Sequence, residues 1–531
     1  MLTRRTMLAT SAATVAAPAV LTGAYAATPK GVAVMAKQID DIVSFDPAES
    51  YEFTNGEIDA NCYRRLIRPN LDDATKIEGD LAQSWTVSPD GLTFTFKLRR
   101  DAKFESGNPV TAIDAAFSLQ RVVKLNKTPG FIVTQFGFNP TNAETAIRAL
   151  DDYTLEMKLP QAQATSFVLY CLSANVGSVV DMKTVMANQA NGDLGNAWLK
   201  THTAGAGPYK LTEWAASDHV IIDANPNAAE KGLMRRIVMR HVADPSAQLL
   251  LLQKGDVDIA RELGSDQLKS IAGDKNLTIA AASQGTSMYI AMNQSMPELQ
   301  KTQVHQAIKW AIDYDAIAKN ITPNTWSVCQ TFLPYALPGA LKSAPFKKDV
   351  AKAKQLLAEA GLGGGFSITM DYISTSPSSE IAQAIQADLA AIGIKVSLQP
   401  GDQKQVITKT RARQHQLAML IWGTDYFDPN SNTQAWCENP DDSDQSKLKI
   451  LAWRSHFVDK ELTSESQAAV RELDPAKRIA LYRTIQQQFM ERAPFAMLLQ
   501  RNAVAVLGKG VTGFKVGPMP DYTHYSKINK A

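Results

Sequence analysis

Between Asp349 and Leu398 the apolar residues change period three times, and this alternation restricts the fold more than any other feature of the chain. Behind Asp349, a capping side chain, Ala353, Leu356, Leu357 and Ala360 recur at helical spacing until Gly361 stops them. A strand reads from Phe366 to Tyr372. Ile381, Ile385, Leu389 and Ile392 return to the helical period up to Gly393, after which Ile394, Val396 and Leu398 alternate as a strand does. Elements in that order bury their apolar faces by packing helix on sheet, so an α/β architecture is expected. Two more helices are expected, from Thr302 through Val304, Ile308, Ala311 and Ile312, and from Asp474-Pro475 through Tyr482, Ile485 and Phe489.

The first half has a different grain. Ser84 to Leu98 reads as strand, turn, strand: Asp90-Gly91 supplies the turn, and Phe94, Phe96 and Leu98 alternate with Thr95 and Lys97. Thr111 and Asp114 make a capping box for a helix, and Leu155, Met157 and Leu159 mark another strand. The run from Phe167 to Val180, broken by Ser173 and Asn175, reads as buried core. At 531 residues the chain exceeds one ordinary domain, yet no fixed-period repeat or low-complexity linker divides it. Lobes joined by several crossings are expected instead of beads on a string.

Charge bears on partners. The 55 basic residues are matched by 53 acidic ones, without the concentrated excess that grips many phosphates, so nucleic acid is not an expected partner. Residues 1–26 combine Arg4 and Arg5, an apolar Ala-rich run and Ala24-Tyr25-Ala26, the order of a cleaved export signal. The segment Thr3-Arg4-Arg5-Thr6-Met7-Leu8 resembles a twin-arginine signal, with an ordinary secretory signal as the alternative. Without that segment the chain carries 53 charges of each sign. No cysteine near the cleavage point supports a lipid anchor, so a free periplasmic protein is expected. Cys62, Cys171, Cys329 and Cys437 are too few and too dispersed for a disulfide framework or a metal knuckle, and their pairing is left open.

Motifs of catalysis are missing. The chain has no H-E-x-x-H, G-x-S-x-G or P-loop pattern, and its seven histidines form no local cluster, so neither metal nor cofactor is expected. Gly508-Lys509-Gly510-Val511-Thr512-Gly513 matches G-x-G-x-x-G formally, but Pro518 and Pro520 follow where a helix is needed, so a turn is expected. Asp441-Asp442-Ser443-Asp444 reads as a solvated loop. Trp422-Gly423-Thr424-Asp425-Tyr426-Phe427-Asp428-Pro429 follows the apolar strand Leu417 to Ile421, which puts aromatic rings and a carboxylate at a strand end, where α/β proteins form ligand crevices. An ordinary strand-to-loop transition explains that local pattern equally well. An enzyme using Asp425 and Asp428 as acid and base is a minor third reading.

Several blocks together resemble the extracellular solute-binding proteins of peptide and nickel ABC importers. They are Leu81 to Arg99 with Phe104, Gly107 and Asp114; Gly205-Ala206-Gly207-Pro208-Tyr209-Lys210; Gly255-Asp256-Val257-Asp258; Asn293 and the helix after it; Asp349 to Gly361; Ile381 to Val396; and Trp422 to Pro429. The resemblance implies a two-lobed α/β periplasmic-binding-protein fold with a hinged cleft. Residues 27–70, 202–288 and 496–531 would form lobe I, 71–201 an extra subdomain of lobe I, and 289–495 lobe II. The crossings would lie near Met288 to Ile290 and Ala493 to Met497. The implied function is a monomeric, non-enzymatic receptor that delivers a peptide-like solute to the transmembrane subunits of an ABC permease; an opine, oligosaccharide or metal chelate is the alternative cargo.

Site residues follow by the same resemblance. Peptide-binding members hold their ligand as an added strand, here between the backbones of Trp422, Gly423 and Thr424 and those of Tyr51, Glu52 and Phe53. Asp425 matches the carboxylate that pairs with the ligand's α-ammonium. Dipeptide-binding members carry an arginine in the loop before the Ile381 helix, whereas Ile373 to Ser379 holds only Ile, Ser, Thr and Pro, which argues against a dipeptide. Arg411 or Arg413 would serve a longer ligand's carboxylate.

Overall fold

The computed structural model describes residues 28–70 and 72–531; the export signal at 1–26 lies outside the described residues. Ten strands form the backbone of the molecule: β1 Val32–Lys37, β2 Tyr209–Ala215, β3 His219–Ala224, β4 Arg236–His241, β5 Ile259–Ala260, β6 Thr278–Met292, β7 Phe366–Ile373, β8 Ile394–Gly401, β9 Leu417–Gly423 and β10 Phe495–Leu507. They join in the order β2-β3-β4-β1-β5-β10-β6-β9-β7-β8, and Trp326–Val328 adds to β10 beside that path. β1 is parallel to β4 and β5, and β7 is parallel to β8 and β9. The two parallel groups are the cores of two lobes.

Only β6 and β10 are long enough to belong to both. Thr278 to Ser283 pair with Leu507 to Asn502 at one end, and Ser287 to Ala291 with Gln500 to Phe495 at the other. Between Ser283 and Ser287 the register shifts, so the ladder is interrupted at Gln284 to Thr286, opposite Arg501. An interrupted ladder bends more easily than a continuous one. Met288 to Ile290 and Ala493 to Met497, where crossings are expected from sequence, lie on the second-lobe side of this interruption.

Local signals read from sequence produce the elements around the sheet. Asp349 Oδ1 accepts from the Lys352 N–H at 2.9 Å and starts the helix Val350–Glu359, which buries Ala353 and Leu357 and ends before Gly361 at φ +73. The helix Ser378–Ala390 buries Ile381, Ile385 and Leu389. The formal G-x-G-x-x-G is a turn leading into the two-residue strand Val511–Thr512, which pairs with Asn529–Lys530.

A four-stranded antiparallel sheet, Ala82–Val87, Thr93–Leu98, Thr154–Lys158 and Ile147–Asp151, stands apart from the main sheet. Its first turn is Asp90-Gly91, and Phe94 and Phe96 are fully buried. The helix Ala112–Leu125 covers it, and the helix Thr165–Ser173 lies in the same apolar cluster. That cluster also contains Tyr426, from the loop after β9. The Tyr426 ring is 5.9 Å from Phe167 and that of Phe427 is 5.7 Å from Tyr170. Arg478 holds Asp428 through bonds of 2.7 and 2.8 Å and reaches Ser166 Oγ at 3.0 Å. The loop that carries Asp425 is therefore seated in the four-stranded subdomain. All four cysteines are buried and free.

The subdomain is tied to the first lobe by a buried charge pair. Arg121, on the helix Ala112–Leu125, gives Asp46 two bonds of 2.6 and 2.5 Å and Leu194 O a third of 2.7 Å, with 2% and 0% of the two side chains exposed. Removing one partner of such a pair strands the other charge, at a cost of about 3–5 kcal/mol. Arg121→Met should lower unfolding stability by about that amount; a urea midpoint unchanged from the parent would contradict this.

Candidate functional site

β9 begins with apolar Leu417 to Leu420, buried, followed by Ile421, which is 42% exposed. Beyond Met419 it has no ladder partner on the side of β7. On its other side it stays paired with β6 through Gly423. The Thr424 N–H continues this pairing by donating to Gly285 O at 2.7 Å. Along a strand, alternate residues direct N–H and C=O to opposite sides. Trp422 and Thr424 thus face β6, and Gly423 alone of the three turns its peptide groups to the open edge. Of the three backbones expected to supply one side of an added strand, that of Gly423 faces the open edge.

The turn after β9 is rigid. Thr424 Oγ1 donates to Asn432 Oδ1 at 2.9 Å, and the Asp425 N–H donates to Ser431 Oγ at 2.9 Å. Asp428 caps the helix Pro429–Cys437 by accepting the Asn430 N–H at 2.9 Å. With 0% of its side chain exposed and both oxygens held by Arg478, Asp428 has no access to a substrate. The reading of Asp425 and Asp428 as a catalytic acid and base has no geometric support.

Asp425 itself is half-buried and faces the first lobe, where Tyr51 Oη donates to its Oδ1 at 2.5 Å. Burial raises its pKa to about 6, against the Tyr51 hydrogen bond and the charge of Arg454, which both pull it down. The carboxylate is therefore ionised near neutrality although it has lost much of its water. Burial and the charge of Asp425 push the Tyr51 phenol far above its ordinary range, which keeps it a donor. Phe53, 47% exposed, opens the helix Phe53–Cys62 and lays its ring on Gly423, where a Cβ would come within 2.8 Å of Cζ. Glu52 is exposed, and burial together with Asp41 raises its pKa. The two predicted sides of the site thus meet at Tyr51 with Asp425 and at Phe53 with Gly423. Trp422 is half-buried, its ring 6.5 Å from that of Trp436.

The two arginines part ways. Arg413, at φ +61, is locked by Asp442 and lies 4.1 Å over the Trp453 ring, so it is a structural residue and not a ligand anchor. Asp442, read as part of a solvated loop, is its partner and also bonds His456 Nδ1 at 2.8 Å. Arg411 is exposed at the end of the helix Gln403–Arg411, with no ion pair among the described residues, and its charge reaches Tyr51. Sequence reasoning missed Arg454. It ends the short helix Leu451–Arg454, donates through Nε to Lys449 O at 3.2 Å, and its charge reaches Tyr51, Asp425 and Arg411. Its only local signal is a polar residue ending the apolar Leu451-Ala452-Trp453. No group of three metal-ligating side chains occurs among the described residues.

Comparison with known proteins shows the family and the fold. The family model for bacterial extracellular solute-binding proteins, family 5 (middle), matches residues 76–444. A probable D,D-dipeptide-binding periplasmic protein, DdpA of Escherichia coli, is 27% identical over 502 residues, covering 93% of each chain. The glutathione-binding protein GsiB of Shigella boydii is 26% identical over 485 residues, covering 91% of each. The solved periplasmic binding protein DppA of Helicobacter pylori, in complex with the peptide STSA, superposes with a TM-score of 0.78 at 24% identity, over 94% of this chain and 98% of that one. The last likeness establishes the two-lobed fold.

The Asp425 environment is open to titration by carbon-13 NMR of its carboxyl group. An apparent pKa of about 6 is expected, rising further in Tyr51→Phe because the hydrogen bond that favours the charged form is lost. Titration near the ordinary value of 3.8, unmoved by the substitution, would contradict the geometry.

Proposed function

The chain belongs to the bacterial extracellular solute-binding proteins of family 5, and from that premise we propose that it closes two lobes on a peptide-like solute whose ammonium is held by Asp425, and delivers it to an ABC permease. The observation that carries this reading is a half-buried carboxylate, ionised near neutrality, at the meeting point of two lobes. A desolvated ammonium needs a fixed anion, and a charge-assisted bond is about twice as strong as a neutral one. The open peptide edge of Gly423 gives an extended ligand one place to add as a strand. Phe53 and the exposed Ile421 offer apolar walls, and Arg411 a cation for a distant carboxylate.

We place the hinge at Gln284 to Thr286 and Arg501, with lobe I, its subdomain and lobe II otherwise at the boundaries expected from sequence. The relatives are periplasmic, and no helix among the described residues is long and apolar enough to cross a membrane. Export by a twin-arginine signal, cleavage after Ala26, absence of a lipid anchor and action as a monomer complete the proposal. The D,D-dipeptides and glutathione for which two relatives are named carry free amines, which fits the role given to Asp425.

Two measurements test it. In a thermal-shift screen, amine-bearing peptides should stabilise the protein by about 2.7 kcal/mol at a hundredfold excess over Kd; a response only to oligosaccharides or a nickel chelate would overturn the peptide assignment. For trialanine as probe, Asp425→Asn should weaken binding about ten- to a hundredfold, the equivalent of about 1.5–3 kcal/mol. The sign with pH is fixed by the raised pKa. Below about 6 the empty carboxyl holds a proton that must leave before an ammonium binds, so affinity should fall as pH drops, by up to about tenfold per unit. Binding indifferent to both pH and the substitution would remove Asp425 from the role.

A further inference from the structure

Three large apolar side chains that stay exposed gather beside Asp425: Tyr51 at 38%, Phe53 at 47% and Ile421 at 42%. Ile421 and Gly423 stand two residues apart on β9, so their Cβ directions share one face of the sheet. Gly423 has no Cβ, and the Phe53 ring takes the space from across the cleft: a Cβ there would lie 2.8 Å from Phe53 Cζ and 3.1 Å from Cε1. On that face Phe53 stands in for the side chain that Gly423 lacks. Tyr51, two residues before Phe53, places its Oη on Asp425 Oδ1 at 2.5 Å. Its ring meets that of Phe131, half-buried in the subdomain, edge to face at 6.3 Å.

The side chains of Ile421, Phe53, Tyr51 and Phe131 thus flank the carboxylate with carbon. Their one hydrogen-bonding group, the Tyr51 hydroxyl, is already given to Asp425. A ligand side chain laid on these rings gains by burying apolar surface, whereas a polar one gives up its bonds to water and finds no partner there. The register says which ligand residue that is. In a strand added at the open edge of Gly423, the residue directly opposite presents its side chain on the same face, about 4.5–5.5 Å from the Cβ position that Phe53 fills. Asp425 follows Gly423 by two residues, at most about 7 Å of chain. An aspartate side chain and one charged hydrogen bond span that distance, so the residue opposite Gly423 is the one that bears the ammonium.

We propose that Phe53 is a specificity-determining residue, and that the solute carries a large apolar side chain on the residue that bears its ammonium. The proposal rests on the receptor reading above and narrows its ligand class: peptides that begin with leucine, isoleucine or phenylalanine bind in preference to those that begin with a polar residue of similar size.

Leucine and asparagine have similar shape and no charge, so exchanging them in a tripeptide tests this with length and termini held constant. Calorimetry on the full-length protein should show leucyl-alanyl-alanine binding at least about tenfold tighter than asparaginyl-alanyl-alanine, as burial of one leucine side chain allows. The same exchange at the third residue should change affinity less than the exchange at the first. Phe53→Ala should bring the first-residue ratio close to one, and Phe53→Leu, which keeps an apolar side chain on Gly423, should keep part of it; circular dichroism establishes that each variant is folded. Equal affinities, a preference for asparagine, a larger effect at the third residue, or a ratio unchanged in Phe53→Ala would each overturn the proposal. Trialanine separates the two levels: if it binds the wild type with the Asp425 dependence given above while the leucine and asparagine peptides do not differ, only the apolar-residue inference falls. If trialanine and leucyl-alanyl-alanine both fail to bind, the peptide-receptor reading falls and takes this inference with it.

Discussion

Everything in this molecule hangs on two strands that belong to both lobes. β6 and β10 pair with each other over nearly their whole length, so each lobe's sheet is continuous with the crossing and no flexible linker intervenes. Continuity makes the relative placement of the lobes a property of backbone hydrogen bonds. The wider of its two irregularities, at Gln284 to Thr286, is where torsion can change without unpairing either lobe. Gly285 marks the spot chemically: its N–H donates to Pro518 O, its carbonyl accepts from Thr424, and a Cβ would meet Thr424 Oγ1 at 3.0 Å. The turn that presents Asp425 is thus bonded directly to the bend.

A second consequence concerns the carboxylate. Asp425 gains its position from a rigid turn, but its ionisation from opposing terms: burial raises the pKa, and Tyr51 and Arg454 lower it. Tyr51 belongs to the opposite lobe, so closure sets the balance as well as the shape. The loop's neighbours, Tyr426 and Phe427, are packed against Phe167 and Tyr170 of the subdomain. The turn that presents Asp425 is thus held from two directions, by Tyr51 of the first lobe and by the aromatic rings of the subdomain.

Much of this was legible from residues. Caps at Asp349 and Asp474, the stops at Gly361 and Gly393, and the Asp90-Gly91 turn are local devices, and local devices read well. Asp425, Tyr51, Phe53 and Gly423 emerged through resemblance to a family, and the structure brings them together. Three things escaped. Strand alternation relative to β6 decides which backbone is free, and pairing partners are not encoded locally, so which of Trp422, Gly423 and Thr424 faces the open edge was not legible. Arg413 and Asp442 are 29 residues apart, and nothing nearby announces that they neutralise each other. Arg454 acquires meaning only from what folds beside it. In each case the missing information was a long-range contact.

The central claim is that a placed carboxylate selects solutes that carry an amine. Native mass spectrometry of the protein purified from the periplasm without refolding reads the retained cargo directly. The account predicts an intact, amine-bearing solute released on denaturation and absent from Asp425→Asn. A cargo with no amine, or one retained equally by the variant, would contradict it.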